Sequence, residues 1–234
     1  MLFSQDVPNG KALIKSALEK GEISENRLAE SVKKILKTKY LLGLQNLKSI
    51  NSENINEDLN NASHAELSEK LYSNAITLLK DEKNLLPLSC SETYYYLPLE
   101  EAPFQTFVEN LNLGTTVKVI SKNEIAQIPE NSTVIVGFHK DNSTAYKPYK
   151  ISQESKNILA ELNKKQNVIL DIFGSPYALK DVDISKISTV LVSYENNDLS
   201  MKASAKAILG KTKISGKLPV IVNENLKAGS GIEK

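Results

Sequence analysis

Apolar residues recur at helical spacing over the first forty-odd positions, and this pattern predicts two helices. In "GKALIKSALEKG" Ala12, Leu13, Ala17 and Leu18 share one side, and Gly21 stands where a left-handed residue ends a helix, so the first helix is expected over 10–20. The second, 24–40, opens at Ser24 as N-cap, with Ile23 and Leu28 spaced as a hydrophobic staple. Leu28, Val32, Ile35 and Leu36 form its expected buried stripe. Glu25 sits early, Lys33, Lys34, Lys37 and Lys39 sit late as the helix dipole favours, and Gly43 ends the element.

Periodicity then disappears over 45–62, where Asn46, Asn51, Asn54, Asn56, Asn60 and Asn61 concentrate, and this stretch reads as a linker. A third helix is expected from Ser63, capped reciprocally with Glu66, with Leu67, Leu71, Ala75 and Leu78 on one face. It leads through "LLKDEKNLLPL" into a strand. Beyond Leu88 the period changes to that of strands. The runs "TYYYLPL", "TVKVIS", "TVIVGFH", "NVILDIFG" and "STVLVSYE" alternate with helical candidates at 103–112, 152–165 and 199–209. Three of the runs (133–139, 167–174 and 188–195) are nearly continuous in apolar residues, as central parallel strands covered on both faces are. The fold class expected is α/β: a three-layer α/β/α domain with a mostly parallel sheet, built from right-handed βαβ units and preceded by a helical segment. The boundaries expected are 1–44 helical, 45–62 linker, 63–225 α/β/α domain and 226–234 tail or linker.

Composition removes several function classes. The formal net charge is +1, which gives no field for nucleic acid, and Arg27 is the sole arginine, so bidentate phosphate clamps are not expected. No apolar run approaches the roughly 18 residues of a membrane span. The opening "MLFSQDVPNG" lacks the basic and long apolar regions of a secretory signal. Cys90 is the only cysteine, which rules out an intrachain disulfide, and with only His64 and His139 beside it no nitrogen–sulfur zinc site is expected. Neither a G-x-G-x-x-G nor a G-x-x-x-x-G-K-[ST] loop occurs, so no nucleotide and no other cofactor is expected, and without a G-x-S-x-G nucleophile elbow a serine hydrolase is not expected either.

In folds of this class ligands gather at the carboxyl ends of the strands, here the loops 139–150, 174–179 and 194–200. His139 ends one strand, and without a partner visible in sequence it reads as a loop histidine rather than a base. Gly174, Ser175, Pro176 and Tyr177 read as a strand-to-helix connection in which Gly174 permits a sharp turn, Ser175 caps and Pro176 takes the first helical position. Glu195 ends a strand and would serve as a general acid only against an apolar wall; an exposed carboxylate is the plainer reading. Tyr94, Tyr96, Tyr146 and Tyr149 offer surfaces for sugar rings, but alternation on one strand makes core packing the plainer reading for Tyr94 and Tyr96.

Five stretches carry a resemblance. "ALEKGEISENRLAESVKKILKTKYLLGL" resembles the end of the catalytic barrel of glycoside hydrolase family 3, and "HAELSEKLYSNAITLLKDEKNLLPL" resembles the opening of that family's second domain. "VILDIFGSPYAL", "LVSYENND" and "ILGKTKISGKLPVIV" resemble later parts of it, in the same order, with a flavour closest to the bacterial β-N-acetylglucosaminidase branch. The resemblance implies a fragment: the last barrel helices followed by the whole second domain. The aspartate nucleophile, the "KHFPG"-type substrate motif and the acid/base histidine–aspartate pair would belong to the barrel upstream. A retaining glycosidase needs two carboxyl groups about 5 Å apart, so a chain without the nucleophile is expected to be inactive alone. In the β-glucosidase branch the second domain lends an acid/base glutamate. Glu195 or the Glu100–Glu101 pair would be candidates there, but no motif fixes one and none is assigned.

The resemblance also implies the partners: the catalytic barrel, and carbohydrate only through it. Helices at 10–20 and 24–40 deprived of that barrel would expose an apolar stripe, covered by docking on the second domain or by self-association. The compartment is left open among secreted, periplasmic and lipid-anchored parents. The alternatives are a free-standing carbohydrate-binding module and, from the layer pattern alone, a flavodoxin-like cofactor domain.

Overall fold

The computed structural model describes residues 5–49, 51–141, 146 and 148–234. The chain divides into two compact units, Met1–Asp58 and Leu59–Lys234. The first contains α1 (Val7–Glu19) and α2 (Glu25–Leu41). α1 starts three residues before the expected position because Asp6 caps it, accepting from Asn9 N at 2.9 Å, and Pro8 is tolerated in a first turn. Ser24 caps α2 as expected, accepting from Arg27 N at 3.2 Å, and Gly21 takes the left-handed conformation at φ +73°. The stripe expected to be buried is not: Val32, Ile35 and Leu36 are exposed, and neither helix has a buried residue. A single helical pair has too little surface of its own to enclose such a stripe. The stretch expected as a linker carries a 3-10 turn at Leu44–Asn46 and a short helix, α3 (Ile55–Leu59).

The second unit opens with α4 (Ala62–Ala75), capped by Asn61 rather than by Ser63; the Asn61 side chain accepts from His64 N at 3.1 Å. Its outward face is also the reverse of that expected. Leu67 and Leu71 are exposed, at 54% and 61%, while Tyr72 packs into the core, and Leu78 belongs to a strand. The strands are β1 (Thr77–Asp81), β2 (Thr93–Leu99), β3 (Thr116–Val119), β4 (Thr133–His139), β5 (Asn167–Phe173) and β6 (Thr189–Val192). They form one sheet in the order β1-β6-β5-β4-β2-β3, parallel except for β1, which runs antiparallel to β6. α5 (Gln105–Leu111) and α6 (Gln153–Leu162) lie between strands and α7 (Asp198–Ile208) follows β6, close to the three spans expected.

Strand alternation sorts the core into two layers. Val134, Val136 and Phe138 of β4, with Val168, Leu170 and Ile172 of β5, pack against α6 through Leu159 and Leu162. Ile135 of β4, with Ile169 and Phe173 of β5, pack against α5 and α7 through Phe107, Leu111, Met201 and Ile208. The domain is thus a three-layer α/β/α fold with a mostly parallel sheet. The 226–234 segment, expected as a tail or linker, instead lines the outer edge of β1, with Ile232 N donating to Leu78 O at 2.7 Å. An edge strand leaves backbone groups unpaired, and this segment satisfies one of them, the Leu78 carbonyl. No helix among the described residues is long and apolar enough to cross a membrane.

Candidate functional site

The carboxyl ends of β2, β4, β5 and β6 bring together 100–104, the described part of 139–150, 174–179 and 194–200. His139 is not a loop histidine: it is fully buried at the last position of β4. Its ring stacks on Phe173 at 4.6 Å with planes 7° apart. Asn196 Nδ2 donates to Pro103 O at 2.9 Å, which turns Asn196 Oδ1 toward His139 Nδ1 at 2.5 Å. Nδ1 is therefore the ring donor, and Nε2 accepts from Tyr96 Oη. Burial opposes charging the ring and outweighs the hydrogen bond with Asn196, so the pKa falls to about 4. His139 is neutral at neutral pH, with both nitrogens engaged. The Tyr96 hydroxyl is held well above its ordinary pKa by burial and then by the charge of Asp171, so it stays a donor. Gly137 makes room for the pair: a Cβ there would fall on Tyr96 Oη and His139 Nε2.

Asp171 sits mid-strand in β5, fully buried, beside Gly137 in the register. It accepts from Ser193 Oγ at 2.8 Å and from Ser204 Oγ of α7. Burial raises its pKa to about 6 against the lowering effect of those serines and the Ile172 backbone.

Glu195 is exposed, the plainer of the two readings. It accepts from Tyr72 Oη at 2.6 Å and from Asn197 Nδ2 at 2.7 Å. The turn that presents it is cross-braced. Tyr194 adopts φ +66°, a conformation that costs a non-glycine residue on the order of 1–3 kcal/mol, and its hydroxyl meets Thr77 Oγ1 at 2.7 Å. Thr106 Oγ1 of α5 donates to Asp198 Oδ1 at 2.7 Å, and Asn197 caps α7.

In the 174–179 connection Ser175 caps a 3-10 helix (Pro176–Asp181) and Pro176 takes its first position, as expected. Gly174 has no positive φ, and a Cβ there would make ordinary contact with Lys140 Cβ at 3.5 Å, so the turn does not require glycine. Tyr177 is exposed and lies 6.3 Å from Tyr149, ring to ring. Tyr94 and Tyr96 are core residues.

At the β2 end Glu100 and Glu101 both meet Lys140, at 3.2 and 3.0 Å. A cleft of about 520 Å³ opens beside them, lined also by Ser121, Lys122, Ser152 and Ser155. Among the described residues no group of three or more histidine, cysteine, aspartate or glutamate side chains is placed to hold a metal ion. The residues that organise this edge and that the sequence did not single out are Lys140, Asp171 and Asn196. Asp171 alone left a signal, as a carboxylate within an otherwise apolar run.

No family model matches the chain. β-Glucosidase C of Emericella nidulans is 26% identical over 221 residues, which are 92% of this chain and 34% of that protein. The chain thus spans about a third of the length of the curated relatives it matches. Among solved structures, a β-glucoside phosphorylase superposes with a TM-score of 0.67 at 20% identity, over 91% of this chain and 42% of that one. The family 3 β-N-acetylglucosaminidase from Paenibacillus sp. str. FPU-7 superposes with a TM-score of 0.59 at 21% identity, over 89% of this chain and 42% of that one. Over most of its length the chain is thus similar in sequence to β-glucosidases and shares its fold with a β-glucoside phosphorylase and a family 3 β-N-acetylglucosaminidase.

Proposed function

We propose that this chain is the non-catalytic C-terminal domain, with the last barrel helices, of a family 3 glycosidase of β-N-acetylglucosaminidase or β-glucosidase type. The bacterial β-N-acetylglucosaminidase branch is favoured. The domain packs on the catalytic barrel and shapes one rim of its active site with the 139–150, 174–179 and 194–200 loops. Carbohydrate reaches it only through that barrel.

One observation carries this reading: the titratable groups at the carboxyl edge are already committed to the fold. His139 is neutral and bonded at both nitrogens, Asp171 holds two serines, Glu100 is tied to Lys140, Ser152 and Ser155, and Glu195 is bonded to Tyr72 and Asn197. Glu100 and Glu101 do converge, but on the Lys140 ammonium, 3.2 and 3.0 Å from them, so this carboxyl pair is held in an ion pair rather than set across an open site as a retaining glycosidase requires. The match of nearly the whole chain to a third of its relatives supports a domain of a larger protein.

The test is hydrolysis of aryl β-N-acetylglucosaminide and aryl β-glucoside. The chain alone is expected to be inactive, and the same chain joined to its barrel active. Turnover by the isolated chain, abolished by Glu195→Gln, would overturn the proposal. The exposed Tyr149–Tyr177 pair favours a second reading, a carbohydrate-binding module. Calorimetric titration with chitooligosaccharides separates the two, because only the module gives heat without a barrel.

A further inference from the structure

The sheet order creates a crevice between the carboxyl ends of β2 and β4. The chain leaves β2 toward β3 on one side and later enters β4 on the other, so the connections part at that point. In open α/β sheets such a switch point is where ligands settle. In this protein a side chain of its own fills the place. Lys140, the residue after β4, is 7% exposed, and its Nζ lies 3.2 Å from Glu100 Oε2 and 3.0 Å from Glu101 Oε1.

Groups other than Lys140 also orient the Glu100 carboxylate. Glu100 adopts φ +68°, and its other oxygen accepts from Ser152 N at 3.0 Å and Ser155 Oγ at 2.8 Å, at the start of α6. One carboxylate is thus buried and oriented, while Glu101 closes the rim from the solvent side, with a side chain 70% exposed. Burial would discharge both members of the inner pair. For Lys140 the bonds to Glu101 and Glu100 outweigh it and the pKa is raised; for Glu100 the Ser152 and Ser155 bonds and Lys140 outweigh it and the pKa is lowered.

We propose that Lys140 is a tethered ligand, its ammonium occupying a cation-binding crevice made by Glu100 and Glu101 at the switch point, and that this crevice accepts a free primary ammonium ion once the side chain is cut back. The chemistry selects that class. Two carboxylates from consecutive residues supply the negative charge and the acceptors that the N–H groups of a compact primary ammonium need, whereas a quaternary ammonium has no N–H to give. A phosphate-bearing cofactor at the same place would face two carboxylates, which sets this domain apart from flavodoxin-like domains that share its layers.

The test uses the full chain with Lys140→Ala and follows thermal unfolding. Loss of the buried partner is expected to lower Tm by on the order of 5–15 °C. Propylammonium, the fragment removed, is expected to return about 3–5 °C at about ten times its dissociation constant. Tetramethylammonium and sodium at equal ionic strength are expected to return nothing, and propylammonium to leave the unsubstituted chain unchanged. Adding Glu100→Gln should abolish the rescue. Where Lys140→Ala does not stay folded, the yield of refolding from urea with and without propylammonium gives the same reading. Equal effects of propylammonium and tetramethylammonium, or a Lys140→Met chain as stable as the original, would overturn the proposal.

Discussion

His139 Nδ1 donates to Asn196 Oδ1 at 2.5 Å, joining the end of β4 to the turn after β6 across 57 residues of sequence. The same asparagine donates to Pro103 O at 2.9 Å, so one side chain ties three loops of the carboxyl edge together. Asn196→Ala would cut both bonds and strand a buried ring N–H. A loss of about 2–3 kcal/mol in urea unfolding is expected. Amide exchange should accelerate most at 194–198, which distinguishes a local brace from a general weakening. Protection unchanged at those amides would refute the brace.

His139 and Asp171 have opposite pH dependences that overlap. The His139 pKa falls from 6.5 to about 4 on folding, so between those values the unfolded chain holds the extra proton and stability rises with pH. The Asp171 pKa rises from 3.8 to about 6, so over nearly the same window the folded chain holds the proton and stability falls with pH. Each slope approaches about 1.4 kcal/mol per pH unit. The original chain should therefore show little net slope from these two groups. Asp171→Asn should expose a stability that declines as pH drops from 6.5 to 4, and His139→Gln one that declines as pH climbs from 4 to 6. Chemical denaturation across that range would read both, and like slopes in the two variants would contradict the assignment.

Gly137 is required by space rather than by backbone conformation, since a Cβ there overlaps Tyr96 Oη and His139 Nε2. Gly137→Ala is expected to cost about 2–4 kcal/mol through overpacking and a broken buried bond. Tyr96→Phe removes one of the clashing atoms. The double variant should consequently lose less than the sum of the two single losses, by 0.5 kcal/mol or more on the order expected of neighbours.

The first turn and the faces of α4 make a fourth test. Asn61→Ala should cost about 1 kcal/mol as the loss of an N-cap, and Ser63→Ala much less. Tyr72→Ala should cost more than about 2 kcal/mol, whereas Leu67→Gln and Leu71→Gln should stay within about 0.5 kcal/mol in this chain. Larger losses at the leucines would restore the face that periodicity alone suggests.

Local pattern by itself determined the layers. Runs such as "TVIVGFH" and "NVILDIFG" are β4 and β5 nearly to the residue, because a strand covered on both faces must be apolar throughout. Ser24 and Gly21 marked helix ends because capping and left-handed backbone are settled by neighbours in sequence. Tertiary structure alone decided which face of α4 is inside, since an apolar stripe shows that a face can be buried but not what lies opposite it. It also decided the chemistry of the carboxyl edge. His139 changed from a loop residue to a neutral core residue because its partners, Tyr96 and Asn196, are 43 and 57 residues away. Lys140, an ordinary lysine in the sequence, became the filling of a crevice that exists only once β2 and β4 lie side by side.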